Sequence, residues 1–276
     1  MKDIILEVLC SIMGLSAASG IYYEENRLYI VCDDSNYLYT YSIPKKQLDK
    51  NLLIDMSNQN ERVPKKSKLD LESIFKYKDS LHLLGSMSTS SRTTNFQVAL
   101  TSFDNAESFS TAILSEKIHS QLGINSKNLN IEGSFLHRDT LYLFNRGNGP
   151  EKNNGIILVK KDFLTPIKYI DIPLPEQETG CPAFTDAILL GEKIYFIAAI
   201  EQTGSTYEDG QIGGSFFGSI DLNTLALTSF IPISDTHKFE GLSIYREDPK
   251  QLIFLLCEDS DQQASTTIIY KLSVPK

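Results

Sequence analysis

The chain has 276 residues, 41% of them hydrophobic, with 14 Phe, 13 Tyr and no Trp. That length and apolar content suffice for a sizeable core in one closed domain. A formal charge of −9 weighs against nucleic acid as a partner, because binding it requires a basic face to neutralise phosphates.

Residues 4–18 are rather apolar, but Asp3 and Glu7 interrupt them and only Lys2 supplies a leading charge, which makes a poor secretion signal. Residues 3–8 are expected to form a strand instead. No stretch approaches ~20 uninterrupted apolar residues, so no membrane span is expected. The four cysteines, Cys10, Cys32, Cys181 and Cys257, show no CxxC or Cys/His metal spacing. Free thiols in apolar contexts favour a reducing, cytoplasmic location; a secreted or periplasmic one follows only if residues 1–19 act as a signal.

From residue 19 onward one unit recurs. Segments beginning Ser19-Gly20-Ile21, Glu72-Ser73-Ile74, Glu132-Gly133-Ser134, Thr185-Asp186-Ala187 and Glu240-Gly241-Leu242 start 53, 60, 53 and 55 residues apart. Each leads through a polar turn into an apolar run, such as Leu28-Tyr29-Ile30-Val31, Leu141-Tyr142-Leu143-Phe144 or Ile253-Phe254-Leu255-Leu256. In the fifth unit the intervening segment is longer, with the excess placed in a turn at residues 245–250. The third unit continues with runs at 155–159 and 167–172 before Pro173 and Pro175 end pairing.

Four short strands per unit of roughly 55 residues predict an all-β fold, a five-bladed β-propeller with four-stranded antiparallel blades in a single domain over residues 1–276. A β-sandwich would fit the composition but does not explain the period. The last unit ends after its third strand, at 267–272, and the strand at 3–8 supplies the fourth, closing the ring and hiding its edges. One helix is expected at residues 116–122, capped by Ser115 and ended by Gly123.

The first strand of each blade lines the channel of a propeller, so Ser19, Glu72, Glu132, Thr185 and Glu240 are expected at one mouth. Centring the hairpin turn on Arg138-Asp139 places Glu132 opposite Asn145. The same construction sets Ser19 opposite Cys32, Glu72 opposite Gly85, Thr185 opposite Ala198 and Glu240 opposite Cys257. Carboxylates crowded there repel one another, raise each other's pKa or recruit a cation. Glu72, Glu132, Glu240, Asp33 and Glu258 are the candidate metal ligands. Oxygen donors without clustered His or Cys select Ca²⁺ or Mg²⁺ rather than zinc.

Glu132 and Glu240 are also candidate acid–base residues, as is His237, three residues before Glu240. Arg146, Asn145, Arg92 and Lys238 are candidates for binding a small polar or anionic molecule, Arg146 by bidentate contact. Structural roles remain open to the same residues: Asp33, Asp34, Glu258 and Asp259 as turn formers, the glutamates as partners of Lys68, Lys127 or Lys238. Connections at 86–95, 147–154 and 202–215 crowd the same mouth and add Tyr207, Glu208 and Asp209. Gly213-Gly214-Ser215, placed in the last of these, precedes no helix and is not a phosphate loop. The histidines are scattered and no G-x-S-x-G accompanies them, which leaves a serine triad without support.

At Lys238-Phe239-Glu240-Gly241-Leu242 and Ile131-Glu132-Gly133 the chain resembles bacterial propellers with recurring Glu-Gly strand starts. It looks most like an uncharacterised family related to phytase-like esterase domains and, more distantly, to the gluconolactonase/regucalcin type. The resemblance implies a metal at the channel mouth and hydrolysis of a phosphate ester or lactone, with carry-over limited to Glu132 and Glu240. Ser19 and Thr185 depart from the pattern. The expected function is therefore binding of a divalent cation and a small polar or anionic ligand at the acidic mouth, with metal-assisted hydrolysis of phosphate esters or lactones as its enzymatic form. The alternative is a non-enzymatic scaffold that docks a protein or glycan on its loop-rich face.

Overall fold

The second strand of every unit is apolar without alternation because both of its faces are covered. A computed structural model describes residues 4–15, 17–56, 60–147, 151, 154–202, 211–258 and 266–276. It contains five separate four-stranded antiparallel sheets. The first comprises β2 (Ala18–Glu24), β3 (Arg27–Cys32), β4 (Tyr37–Ser42) and β5 (Gln47–Leu52). The second comprises β6 (Leu71–Tyr77), β7 (Ser80–Gly85), β8 (Thr94–Ala99) and β9 (Ser102–Ser110), and the third β10 (Ile131–His137), β11 (Thr140–Asn145), β12 (Gly155–Lys160) and β13 (Pro166–Asp171). The fourth contains β14 (Ala183–Leu190), β15 (Lys193–Gln202), β16 (Gln211–Asp221) and β17 (Leu227–Ser234). The fifth is built from β18 (Phe239–Glu247), β19 (Gln251–Glu258), β20 (Thr266–Pro275) and β1 (Ile5–Met13).

The innermost strands touch in the order β2, β6, β10, β14, β18 and back to β2, which closes a five-bladed propeller. β1 pairs antiparallel with β20 from Ile5↔Ser273 to Met13↔Thr266, so the first strand of the chain completes the last blade. It extends further than the expected 3–8, through a bulge between Val8 and Cys10.

Successive strand residues point to opposite faces, so each second strand serves two neighbours at once. Leu28, Ile30 and Cys32 pack against Leu255, Cys257 and Ile269 of the fifth blade. Tyr29 and Val31 pack against Ile74, Leu83 and Phe96 of the second. Equivalent clusters join the second to the third blade through Leu84 and Leu141, the third to the fourth through Phe144 and Phe184, and the fourth to the fifth through Ile197 and Phe254. Each such side chain contributes roughly 1.5–3 kcal/mol of burial free energy. Outer strands such as β5 meet water and are polar.

Three sequence expectations need correction. The helix α1 spans Ala112–Leu122 rather than 116–122, with Thr111 rather than Ser115 at its N-cap. Thr111 is held by Thr93, its N–H and hydroxyl both donating to the Thr93 carbonyl, and Leu114 joins Ile118 on the buried face, so the helix starts a turn early. Gly123 ends it at φ 72°. In the fifth blade, β18 pairs on to Glu247↔Leu252 through a bulge between Ile244 and Arg246, so most of the extra residues lengthen the hairpin rather than its turn. Gly213, Gly214 and Ser215 lie within β16, not in a loop, because β15 and β16 pair as far as Gln202↔Gln211. Tyr207, Glu208, Asp209 and Asp259 fall outside the described residues. No helix among the described residues is long and apolar enough to cross a membrane, and none of the four cysteines forms a disulfide.

Candidate functional site

Integer counting from the turns put each channel residue opposite a partner, whereas the observed register leaves that residue unpaired in all five blades. Ile131 pairs with Asn145 and Gly133 with Phe144, leaving Glu132 as the extra residue of a β-bulge. Ser19, Glu72, Thr185 and Glu240 occupy the same bulge position in their blades. A bulge turns its extra side chain out of the pleat; repeated five times, it re-aims one side chain per blade around the mouth. Counting from the turn misses it because the added residue lies at the far end of the hairpin.

The five bulge residues divide by chemistry. Ser19 donates its hydroxyl to the Leu71 carbonyl and Thr185 donates to the Phe239 carbonyl at 2.7 Å, each tying its blade to the next. The three glutamates are buried at the mouth, Glu72 and Glu132 with 8% and 3% of their surface exposed. The Glu-Gly pairing has its own cause: a Cβ on Gly133 would stand 2.6 Å from the Ala187 nitrogen of the next blade, so glycine permits the inner strands to close. In the fourth blade Asp186 occupies that place, accepting from the N–H groups of Ala187 and Leu242 at 2.7 Å each. Burial raises its pKa well above the usual carboxylate range.

Two charge clusters fill the mouth. In the first, Lys68 Nζ bonds Asp33 and lies 2.8 Å from Asp70 Oδ1, while Arg92 NH1 lies 2.8 Å from Asp70 Oδ2. Carboxylate oxygens of Asp33, Asp70 and Glu72 all lie within 4.8 Å of one another. The Glu72 carboxylate makes no hydrogen bond among the described residues, and burial, then the charges of Glu132, Asp70, Asp33 and Glu240, raises its pKa well above its ordinary value. Burial likewise raises Asp33, against the opposing pull of Lys68. Burial alone would lower the pKa of Lys68, but the surrounding carboxylates outweigh it and hold the ammonium charged.

In the second cluster Arg146 is enclosed by three glutamates: NH1 is 3.3 Å from Glu132 Oε1 and 4.0 Å from Glu240 Oε1, and NH2 is 2.6 Å from Glu201 Oε2. Its buried Nε has no partner. Lys238 Nζ lies 2.8 Å from Glu240 Oε1 and 3.6 Å from Glu201 Oε1. Glu132 Oε1 also accepts from Asn130 Nδ2 at 2.6 Å. Burial pushes Glu132 up to about 7, with Arg146 pulling it down and Glu240 pushing it further up.

The mouth thus brings together Glu72, Glu132, Glu240, Asp33, Arg92, Arg146 and Lys238. The remaining sequence candidates are placed otherwise. His237 Nδ1 meets Glu258 Oε1 at 2.7 Å, and the Tyr270 hydroxyl donates to Glu258 Oε2 at 3.0 Å, making a separate unit in the fifth blade. Asn145 fixes backbone: its Oδ1 accepts from the Asn130 N–H at 2.8 Å and its Nδ2 donates to the Asn128 carbonyl at 3.0 Å. Asp34, beside Asp33, is pushed to about 6 by burial and the Asp33 charge, and lines a surface hollow with Tyr39, Lys50, Glu61 and Arg62.

Sequence reasoning missed Asp70 and Glu201. For Asp70 a signal existed: two residues before the bulge the repeat reads Ala17, Asp70, Asn130, Ala183 and Lys238, polar only in the three blades that carry glutamate. Glu201 has no such signal, because it stands on the lengthened part of β15, beyond the region the blades share.

The fold and this mouth define a five-bladed β-propeller with a buried network of acids and bases at one end of its channel. The chain belongs to a family of unknown function (DUF6929), which it matches over residues 14–274. No curated protein matches it. Among solved structures it is similar to the major allergen Mala s 1 of Malassezia sympodialis, with 11% identity, coverage of 99% of this chain and 96% of that one, and a TM-score of 0.57. It is also similar to Myxococcus xanthus glutaminyl cyclase, at 9% identity, 98% and 97% coverage and a TM-score of 0.56. An exo-1,5-alpha-L-arabinanase from a bovine ruminal metagenomic library gives 10% identity, 97% and 98% coverage and a TM-score of 0.54. At such identities the likeness is one of fold.

Proposed function

We propose that the channel mouth is a site for a hard divalent cation, Ca²⁺ or Mg²⁺, held by Asp33, Asp70 and Glu72, and that a small polar or anionic molecule binds beside it. One observation carries this reading: three carboxylates with oxygens within 4.8 Å of one another include a buried glutamate whose side chain makes no hydrogen bond among the described residues. Oxygens that close are near enough to share one hard cation at ligand distances of about 2.3–2.6 Å. The charge count agrees. Among the described residues, and with every acid ionised as a bound cation would hold it, six acids, Asp33, Asp70, Glu72, Glu132, Glu201 and Glu240, face four bases, Lys68, Arg92, Arg146 and Lys238, leaving two negative charges for one divalent cation to balance.

The ligand set differs from that read in the sequence, with Asp70 in place of Glu132, Glu240 and Glu258. Glu132 and Glu240, held by Arg146 and Lys238, are positioned to carry protons beside the bound molecule. A cation there supplies Lewis acidity toward a carbonyl or phosphoryl oxygen, the chemistry that hydrolysis of a lactone or phosphate ester requires. The likeness of the Glu-Gly strand starts to phytase-like and lactonase-type propellers supports hydrolysis as the reaction. Calorimetric titration with Ca²⁺ and with Mg²⁺ tests the site. Binding is expected in the wild type and a loss of at least about tenfold in Glu72→Gln. Absence of binding heat with either ion at several temperatures, or a Glu72→Gln variant that binds as the wild type does, removes the proposal.

A further inference from the structure

Resting on the cation site proposed above, and narrowing its ligand to the uncharged class and its hydrolysis to the lactone form, we infer that the molecule bound at the mouth is a neutral polyhydroxylated one, a sugar or polyol, and that phosphate and carboxylate groups are rejected. The inference follows from what the mouth's charged groups are already doing. Among the described residues, each base at the mouth is within ion-pairing distance of a carboxylate. Lys68 serves Asp33 and Asp70, Arg92 serves Asp70, Arg146 serves Glu132 and Glu201, and Lys238 serves Glu240 and Glu201. Arg92 is further engaged by the Ser88 hydroxyl at 2.9 Å and the Lys65 carbonyl.

The pairs of Arg92, Arg146 and Lys238 are buried, and those of Lys68 are half-buried. Detaching a base for an incoming phosphate would strand its carboxylate in a site of low polarisability, a costly exchange. With its acids ionised, one divalent cation only cancels the surplus of two negative charges, so the described residues of the loaded mouth are formally neutral and hold no positive field for an anion. Asp186, satisfied by backbone N–H groups, lies outside that count and could only make the balance more negative.

Hydrogen-bonding capacity points the same way. A carboxylate only accepts, and a phosphate dianion likewise only accepts, so the two repel in both charge and hydrogen bonding. Glu72 has no donor of its own, and Glu132 draws its donors, Asn130 and Arg146, to a single oxygen, Oε1. A sugar hydroxyl supplies what both lack: its O–H donates to a carboxylate while its oxygen coordinates a hard cation.

The test titrates the calcium-saturated full-length chain with D-glucose, L-arabinose and myo-inositol, and in parallel with D-glucose 6-phosphate and inositol 1-phosphate. At least one neutral compound is expected to bind at millimolar concentration. Binding should vanish when calcium is chelated, and the matching phosphate should be weaker by at least about tenfold. Glu240→Gln removes the carboxylate nearest Lys238, at 2.8 Å, and is expected to gain affinity for D-glucose 6-phosphate. A phosphorylated compound that binds the wild type as tightly as its neutral parent, or failure of all three neutral compounds to bind, overturns the inference. So does a folded Glu240→Gln chain that still excludes the phosphate. Calcium binding measured on its own separates this outcome from failure of the cation site: if calcium binds and the phosphate wins, only the ligand class is wrong.

Discussion

His82 offers a quantitative test of how the blades are packed. It stands in the otherwise apolar second strand of the second blade, buried, with its ring stacked on Phe75 at 5.1 Å and 10° and on Phe163 of the third blade at 5.9 Å and 16°. Its Nδ1 has no partner, and burial lowers its pKa from 6.5 to about 4. In the unfolded chain the imidazole takes up a proton as the pH falls through 6.5, whereas the folded chain resists until about 4. Stability from this group is therefore fully present above pH 6.5 and is lost as the pH drops to 4. At 1.36 kcal/mol per pH unit the loss totals about 3 kcal/mol.

Substituting His82→Phe removes the titration and keeps an aromatic ring between Phe75 and Phe163. It also removes a buried unsatisfied nitrogen that costs roughly 1–3 kcal/mol, so the variant should be no less stable than wild type at pH 7. The assay is urea unfolding of both proteins at intervals from pH 7 to pH 4. Carboxylates titrate equally in both, so the difference between the two curves isolates His82. The gap should widen by about 3 kcal/mol in favour of the variant as the pH falls. Curves that stay parallel across the range would refute the account of His82 as a neutral imidazole sealed between blades.

Two further substitutions probe the mouth and the inner strands. Arg146→Met leaves Glu132 and Glu201 buried without their guanidinium and should cost about 3–5 kcal/mol in chemical denaturation at pH 7; a loss under 1 kcal/mol would show that these carboxylates do not depend on it. Gly133→Ala drives a methyl to 2.6 Å from the Ala187 nitrogen, backbone that cannot swing aside, and should destabilise by about 1–3 kcal/mol; an unchanged denaturation midpoint would mean the neighbouring strand moves freely.

Much of the fold was legible because a propeller writes itself into the chain several times over. The recurrence of Glu132-Gly133 and Glu240-Gly241, and of the Leu28–Val31 type of run, places the same side chains at the same depth in successive blades. The missing fourth strand of the last unit pointed to β1. The mouth was legible to the same extent: Glu72, Glu132 and Glu240 meet because they share a repeat position. Local detail was less so. The start of α1 depended on Thr111 being pinned by Thr93, a contact across a strand pair that helix-capping preferences do not contain.

By itself the sequence determined the period, the number of blades, the closing strand and the ring of like-numbered residues, since all of these follow from spacing along the chain. Only the tertiary structure decided which charges pair. Arg146 reaches Glu201, 55 residues away on the next blade, through a strand longer than its counterparts, and Lys68 turns to Asp33 of the preceding blade. Ion pairing depends on distances of a few ångströms between side chains from different repeats. Those distances are set by bulges, turn conformations and strand lengths that vary from blade to blade, so the repeat that reveals the ring carries no record of them.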